Sequence, residues 1–167
     1  MWIRDELPQH LLGIRVVVYG YHTKLQDSRS FQLLTDLAKA FINQLQAYGW
    51  CSPSAKPIAF LAHSLGGLVL KEAILQLANS PNDLYQVLLS RARGAVFFGV
   101  PNLGMEQSHF RTIVQNSANE ALIDDLARNS NYIRRLNNSF SGSSLNARLK
   151  CYWAFETTES HTTVVSG

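Results

Sequence analysis

The chain has 167 residues, of which 46% are hydrophobic, and a formal net charge of +3. This length fits one domain with a sizeable core, and the apolar content excludes an intrinsically disordered segment. The charge is small and scattered, which favours solvated helix faces over a nucleic-acid-binding surface. No apolar run reaches the roughly 18–20 residues of a membrane-spanning helix, and the first ten residues lack the apolar core of a secretory signal peptide.

The two cysteines, Cys51 and Cys151, are too few and too far apart in the sequence for a disulfide framework or a zinc site. We therefore interpret both as free thiols in a reducing, intracellular compartment. The residue pattern indicates neither a metal site nor a cofactor.

Short runs rich in β-branched and aromatic residues predict buried strands, and segments with apolar residues at helical spacing lie between them. One helical segment, 66–79, is apolar except for a thin polar stripe of Lys71, Glu72, Gln76 and Asn79, so we expect it to be largely buried. The predicted strands are 14–20, 57–63, 94–100 and 148–156, with a further short run at 162–167, and the predicted helices are 30–48, 66–79, 82–93 and 119–138.

The alternation of apolar strands with helices predicts an α/β fold, in which a parallel sheet has helices on both faces. In such sheets the reactive groups collect at the carboxyl ends of the strands.

The segment 57–70, "PIAFLAHSLGGLVL", places a serine between a predicted strand and a predicted buried helix. Its centre has the small-x-Ser-x-Gly form of a nucleophile elbow, with Ala62 and Gly66 as the small residues. Such a turn strains the serine backbone and projects the hydroxyl above the sheet, while the N–H of Leu65 supplies half of an oxyanion hole. The alternative is that Ser64 only caps the helix. A phosphate-binding loop is excluded, because no Gly-x-Gly-x-x-Gly or Gly-Lys-Ser/Thr motif is present.

Four segments together resemble the lipase-like α/β-hydrolase domain of the serine-active-site-containing (SERAC) protein group. They are "RVVVYGYHTKL", "FLAHSLGGLVLKEAI", "RGAVFFGVPNLGM" and "YWAFET", which come in the expected order and span nearly the whole chain. The resemblance implies a partial α/β-hydrolase fold over 1–167. It also implies that the strand with the first oxyanion loop and the late segment with the catalytic histidine are absent, so that the domain is incomplete.

Related domains stand at the N-terminus of many fungal multidomain proteins, including receptors with a nucleotide-binding module downstream. The resemblance therefore implies nucleotide-binding or repeat domains in a longer form. It also implies a cytoplasmic location, or association with the mitochondrion or endoplasmic reticulum.

The resemblance points to Glu156 as the acid of a catalytic triad, with Glu159 as a second choice and a solvated carboxylate as the alternative. His22 follows the first predicted strand and is a candidate for the mouth of the site. Asn102 follows another strand and either lines the pocket or belongs to a structural turn. His161 comes too early in the family order to be the base, so no histidine here is placed to take the proton from Ser64.

Two functions remain open at this point. The first is an esterase or lipase-like acyl hydrolase that acts on an ester or lipid, with little activity in this chain because the triad is incomplete. The second is a non-catalytic remnant, or an interaction and regulatory module of a larger receptor-like protein.

Overall fold

A computed structural model of the chain describes residues 5–21, 32–106, 120–142 and 149–155. The described elements are six helices and three strands. The helices are α1 (Leu7–His10), α2 (Leu34–Ala47), α3 (Leu65–Asn79), α4 (Asp83–Arg91), α5 (Glu120–Asp125) and α6 (Asn131–Gly142), and the strands are β1 (Ile58–His63), β2 (Ala92–Phe98) and β3 (Lys150–Ala154).

The three strands form one parallel sheet in the order β1-β2-β3. The register aligns Leu61 with Val96 and Val96 with Tyr152, so the strands end together at the edge that follows His63, Phe98 and Ala154. This sheet confirms the predicted parallel α/β architecture, and the three strands fall within two residues of the predicted positions. The apolar run at 162–167 lies outside the described residues.

Helix α3 lies at the centre of the core and packs against α2, α4, α6 and β1. Nine of its residues are buried, which agrees with the expectation from its apolar sequence. Helix α2 turns one apolar face toward it, because Leu34, Leu37, Ala38 and Ile42 recur at helical spacing and are all buried. The central element of the core is therefore the helix that begins directly after Ser64.

The single helix predicted over 119–138 is two helices, α5 and α6, separated by a turn. Two local features explain the break. The hydroxyl of Ser130 accepts a hydrogen bond from the N–H of Ile133 at 3.1 Å, which caps the start of α6. Asn129, in the turn between the two helices, has a φ of 59°, a left-handed conformation that a continuous helix cannot contain and that asparagine tolerates well.

The strand predicted at 14–20 is not observed. This segment forms no ladder with any described strand, although its sequence is as β-branched as those of the strands in the sheet. Val17 and Val18 are 59% and 79% exposed. The ring of Tyr19 packs on Phe41 of α2 with a centroid distance of 4.7 Å, which fixes the end of the segment against the domain. Strand composition alone cannot form a strand, because a strand needs a partner for its backbone hydrogen bonds.

The two faces of the sheet differ. One face carries Ala62 and Phe97, which are buried among the described helices. The opposite face carries Leu61 and Tyr152, which are 45% and 63% exposed. Helices on that second face stay a prediction. Within the described parts of the chain, no helix combines the length and apolar character needed to cross a bilayer.

Candidate functional site

Ser64 lies at the corner between the end of β1 and the first residue of α3. Its backbone has φ 49° and ψ −127°. Positive φ is a conformation that suits glycine, and for other residues it costs on the order of 1–3 kcal/mol. Such strain persists only where surrounding contacts impose it, and it is concentrated at functional sites.

The geometry of Ser64 differs from that of a serine helix cap. A capping serine has extended backbone angles, and its hydroxyl accepts a hydrogen bond from an N–H in the first turn of the helix. Ser64 has a positive φ, and among the described residues its side chain makes no capping hydrogen bond. Helix capping therefore does not account for the serine at this position.

The backbone of Ser64 is held from the neighbouring strand. Its N–H donates to the carbonyl of Phe98 at 3.0 Å, and the next residue along β2, Gly99, donates in turn to the carbonyl of Ala154 at 3.0 Å. Backbone hydrogen bonds thus connect the carboxyl end of β1 to that of β2, and the carboxyl end of β2 to that of β3. The serine corner is part of this shared edge, where ligands bind in open parallel sheets.

The first turn of α3 is in close contact with the residues around it. A Cβ atom on Gly67 would lie 2.1 Å from the Cγ2 atom of Val100, so this position admits only glycine while Val100 stays in place. A Cβ atom on Gly66 would lie 3.5 Å from the hydroxyl of Tyr21, which is an ordinary contact. Val100 and Tyr21 therefore lie on the residues immediately after Ser64, and the pattern of the sequence did not identify either of them.

Leu65, the predicted oxyanion donor, is the first residue of α3. The first N–H groups of a helix have no acceptor within the helix, and the helix dipole makes this end electropositive. The N–H of Leu65 therefore has no acceptor within α3, and its role as an oxyanion donor stays a prediction.

Asn102 lies in the turn after β2, and its side chain is bonded to Lys71. The Lys71 ammonium donates to the side-chain oxygen of Asn102 at 2.5 Å and to that of Asn137 at 2.7 Å. The amide nitrogen of Asn137 donates to the backbone carbonyl of Asn102. These contacts are those of a structural turn, and a pocket-lining role for Asn102 stays a prediction.

Lys71 is a buried charged residue whose contacts the sequence pattern did not predict. It is only 3% exposed, on the helix that was expected to be largely buried. Its ammonium lies 4.7 Å from the centre of the Trp153 ring and 5.5 Å from that of Phe140. Burial lowers the pKa of Lys71 to about 8, while the charge of Cys151 acts in the opposite direction. One signal was available: Lys71 lies seven residues after Ser64, on the same side of the helix.

Several predicted site residues lie outside the described residues, namely Glu156, Glu159, His22 and His161. Their roles stay predictions. The described histidines are His10 and His63, and both side chains are exposed. Within the described segments, no cluster of three or more histidine, cysteine or acidic side chains has the geometry of a metal site.

Comparison with known proteins places this arrangement in a class. Phospholipase PlaB from Legionella pneumophila superposes on 91% of this chain and 34% of its own, with a TM-score of 0.65 and 18% sequence identity. The chain has an α/β-hydrolase-like fold of the lipase type.

Sequence comparison identifies a narrower group of similar proteins than structural comparison does. Protein SERAC1 of Mus musculus is 23% identical over 145 residues, and that of Danio rerio is 28% identical over 144 residues; each alignment covers 83% of this chain. The predicted resemblance to the SERAC group is confirmed, because the chain is similar to these proteins over most of its length. The alignments span about a fifth of the length of these relatives. No protein-family model matches the chain.

Proposed function

We propose that the domain is a serine acyl hydrolase in design, with Ser64 as the nucleophile that attacks an ester carbonyl. The observation that carries this proposal is the backbone of Ser64, which is strained, fixed by a neighbouring strand and unexplained by helix capping. A hydroxyl held at the amino end of a buried helix, at the carboxyl edge of a parallel sheet, is positioned for nucleophilic attack.

The N–H of Leu65 stabilises the oxyanion that forms on the carbonyl oxygen. This donor is fixed by the helix before the reaction begins, and removal of one such donor typically lowers kcat by about 10²–10³-fold. Glu156 orients the general base in this proposal, as an acid that follows the end of β3. The shared edge formed by the strand ends supports this assignment, because Ala154 lies beside Phe98 and Gly99.

The proposed substrates are carboxylic esters of lipids. The support is the fold shared with a phospholipase, together with the exposed apolar side chains near the carboxyl end of β3. Phe155 is 74% exposed and Tyr152 is 63% exposed. An exposed apolar surface at the carboxyl end of the same sheet suits an acyl chain better than a charged head group.

The general base limits activity in this proposal. His63 adjoins Ser64 in the chain and its side chain is exposed, so it is poorly placed to accept the serine proton. Without a base, a serine hydroxyl is a weak nucleophile, and loss of triad members lowers rates by on the order of 10⁴–10⁶-fold. We expect the 167-residue chain to hydrolyse esters slowly or not at all on its own.

Chemical rescue tests the nucleophile directly. The chain is incubated with p-nitrophenyl butyrate or a fluorophosphonate probe, with and without added imidazole as an external base. We expect imidazole to accelerate both acylation and covalent labelling, with the label on Ser64 by peptide mass spectrometry. Ser64→Ala provides the background rate, because imidazole hydrolyses the ester by itself.

Equal imidazole-dependent rates for the wild type and Ser64→Ala, with no label at position 64, would rule out the nucleophile. The second candidate function, a non-catalytic interaction module, would then take its place. That candidate is favoured by the exposed positions of the two described histidines.

A further inference from the structure

The turn after β2 contacts α3 at Gly67 and Lys71, and it follows directly the residue that bonds to the Ser64 N–H. It begins with Gly99, directly after the carbonyl that holds the Ser64 N–H. Its Val100 side chain packs on Gly67, and its Asn102 side chain accepts from Lys71. The turn therefore contacts α3 at two levels, three and seven residues after the serine.

The turn is also fixed internally and from α6. The N–H of Asn102 donates to the carbonyl of Val100 at 2.8 Å, and the N–H of Gly104 donates to that of Pro101 at 2.9 Å. Asn137 of α6 bonds the backbone carbonyl of Asn102 while its own side-chain oxygen accepts from Lys71. Lys71, Asn102 and Asn137 thus form a closed triangle of hydrogen bonds.

We propose that Lys71 is a positioning residue for the Ser64 corner. The Lys71 side chain holds the turn after β2 against the first turn of α3. This inference rests on the proposed function of Ser64 for its catalytic meaning, while the coupling itself is a property of the fold. A buried ammonium is costly, and its two amide acceptors and two aromatic faces offset part of that cost. A methionine of similar length would fill the same space without donating to either amide oxygen.

The charge of Lys71 gives the coupling a pH dependence. Among the described groups that face it, Asn102, Asn137, Phe140 and Trp153 do not titrate, and Cys151 on β3 is the group whose charge interacts with it. Glu72 on the same helix faces another partner, because it accepts a hydrogen bond from Tyr132 at 2.8 Å. Since burial lowers the pKa of Lys71 to about 8, the ammonium loses its proton just above neutral pH and its hydrogen bonds to both amides weaken.

The experiment is a pH titration of the full 167-residue chain by ¹H–¹⁵N NMR from about pH 6.5 to 9.5. We expect the side-chain amides of Asn102 and Asn137 and the backbone N–H groups of Ser64 and Gly67 to titrate together, with a midpoint near 8. Lys71→Met should abolish this transition. The matched control is Lys39→Met, which also removes a lysine bonded to a hydroxyl and lying 4.8 Å from an aromatic ring, and which should leave the transition intact.

A second variant keeps the test decisive if Lys71→Met does not fold. Asn102→Asp places a carboxylate beside the ammonium, so the midpoint should rise by about 1–3 pH units and the transition should move to or beyond the upper end of the titration range. An unchanged midpoint would overturn the proposal. So would a transition confined to the two asparagines with no response at Ser64 and Gly67, because Lys71 would then be a structural residue of the turn alone.

Labelling of Ser64 by the fluorophosphonate probe, rescued by imidazole, links the coupling to chemistry. After subtraction of the Ser64→Ala background, the labelling rate should fall above pH 8 in the wild type. In Lys71→Met the labelling rate should not fall above pH 8. A wild-type profile identical to that of Lys71→Met would overturn the positioning role. The absence of any label on Ser64, with the NMR transition intact, would instead refute the proposed function and leave the coupling supported.

Discussion

Ser64 shows at the scale of one residue how a local cost is imposed by its surroundings. Its φ of 49° is unfavourable for a side chain with a Cβ atom, whereas the four described glycines with positive φ carry no such penalty. The carbonyl of Phe98 and the start of α3 hold the serine in this conformation. The backbone strain at position 64 can therefore be tested by substitution.

We predict that Ser64→Gly is more stable than Ser64→Ala. Glycine relieves a backbone strain of about 1–3 kcal/mol, while its greater freedom in the unfolded chain offsets about 0.5–1 kcal/mol. Urea denaturation of both variants measures the difference. At Ser80, where φ is −90°, the same pair of substitutions should give the opposite order. A Ser64→Ala protein more stable than Ser64→Gly would show that the corner is not strained.

Gly66 and Gly67 differ in the space around them, although they are adjacent in one helix. Alanine at Gly66 meets only the Tyr21 hydroxyl at 3.5 Å, and it should stabilise the helix by about 0.5–1 kcal/mol. Alanine at Gly67 collides with Val100 and should destabilise the protein by about 1–3 kcal/mol. Thermal or urea unfolding of the two variants compares them directly. Equal stabilities would mean that the turn after β2 shifts at little energetic cost to make room for the added methyl group.

At the scale of elements, the apolar pattern predicted the three paired strands and most helix bounds. The pattern wrongly predicted a strand at 14–20. This segment has the composition of a strand, but strand formation also requires a neighbouring backbone that pairs with it. The pattern also could not predict the contacts of Lys71, since Asn102, Asn137 and Trp153 reach it from distant parts of the chain. For the site, the pattern located the Ser64 corner and named Asn102, but not the residues that hold them.

The α3–α6 contact makes the stability of the fold depend on pH. The pKa of Lys71 is about 8 in the folded state and 10.5 as its ordinary value, so above pH 8 the unfolded chain binds more protons. The free energy of unfolding should therefore rise with pH between about 8 and 9, by at most about 1.4 kcal/mol per pH unit from this group. Below pH 8 the lysine is charged in both states and contributes no slope.

Urea denaturation at pH 7.5, 8.5 and 9 checks this slope, and Lys71→Met should lack it. The window stops near pH 9 because burial raises the pKa of Cys51 and Cys151 above their ordinary 9.0. Those thiols make stability fall at higher pH, since the unfolded chain then loses protons first. A Lys71→Met protein with the wild-type slope would assign the effect to another group.

At the scale of the whole molecule, one face of the sheet leaves apolar side chains in contact with solvent. Exposed apolar surface and an open strand edge both promote contacts between copies of a chain. The outer edge of β1 has no partner among the described strands. We predict that the 167-residue chain associates in a concentration-dependent way.

Sedimentation velocity over a range of concentrations measures this association. Leu61→Lys places a charge on the open face and should shift the distribution toward monomer. Leu84→Lys is the matched control, because Leu84 is 51% exposed on helix α4 and not on the open face of the sheet, compared with 45% for Leu61. A wild-type chain that sediments as one monomeric species at all concentrations would contradict the prediction.

The hydrogen bond from Ser64 to Phe98 has a consequence for the order of folding. The serine acquires its left-handed backbone only when β2 has docked alongside β1, and these residues are far apart in the chain. Helix α3 is built from local contacts and can form earlier. We therefore predict that the corner forms after the folding transition state, and that substitutions at Ser64 alter the unfolding rate and leave the folding rate nearly unchanged. On this prediction the backbone geometry of Ser64 is absent from any species that contains only β1 and α3.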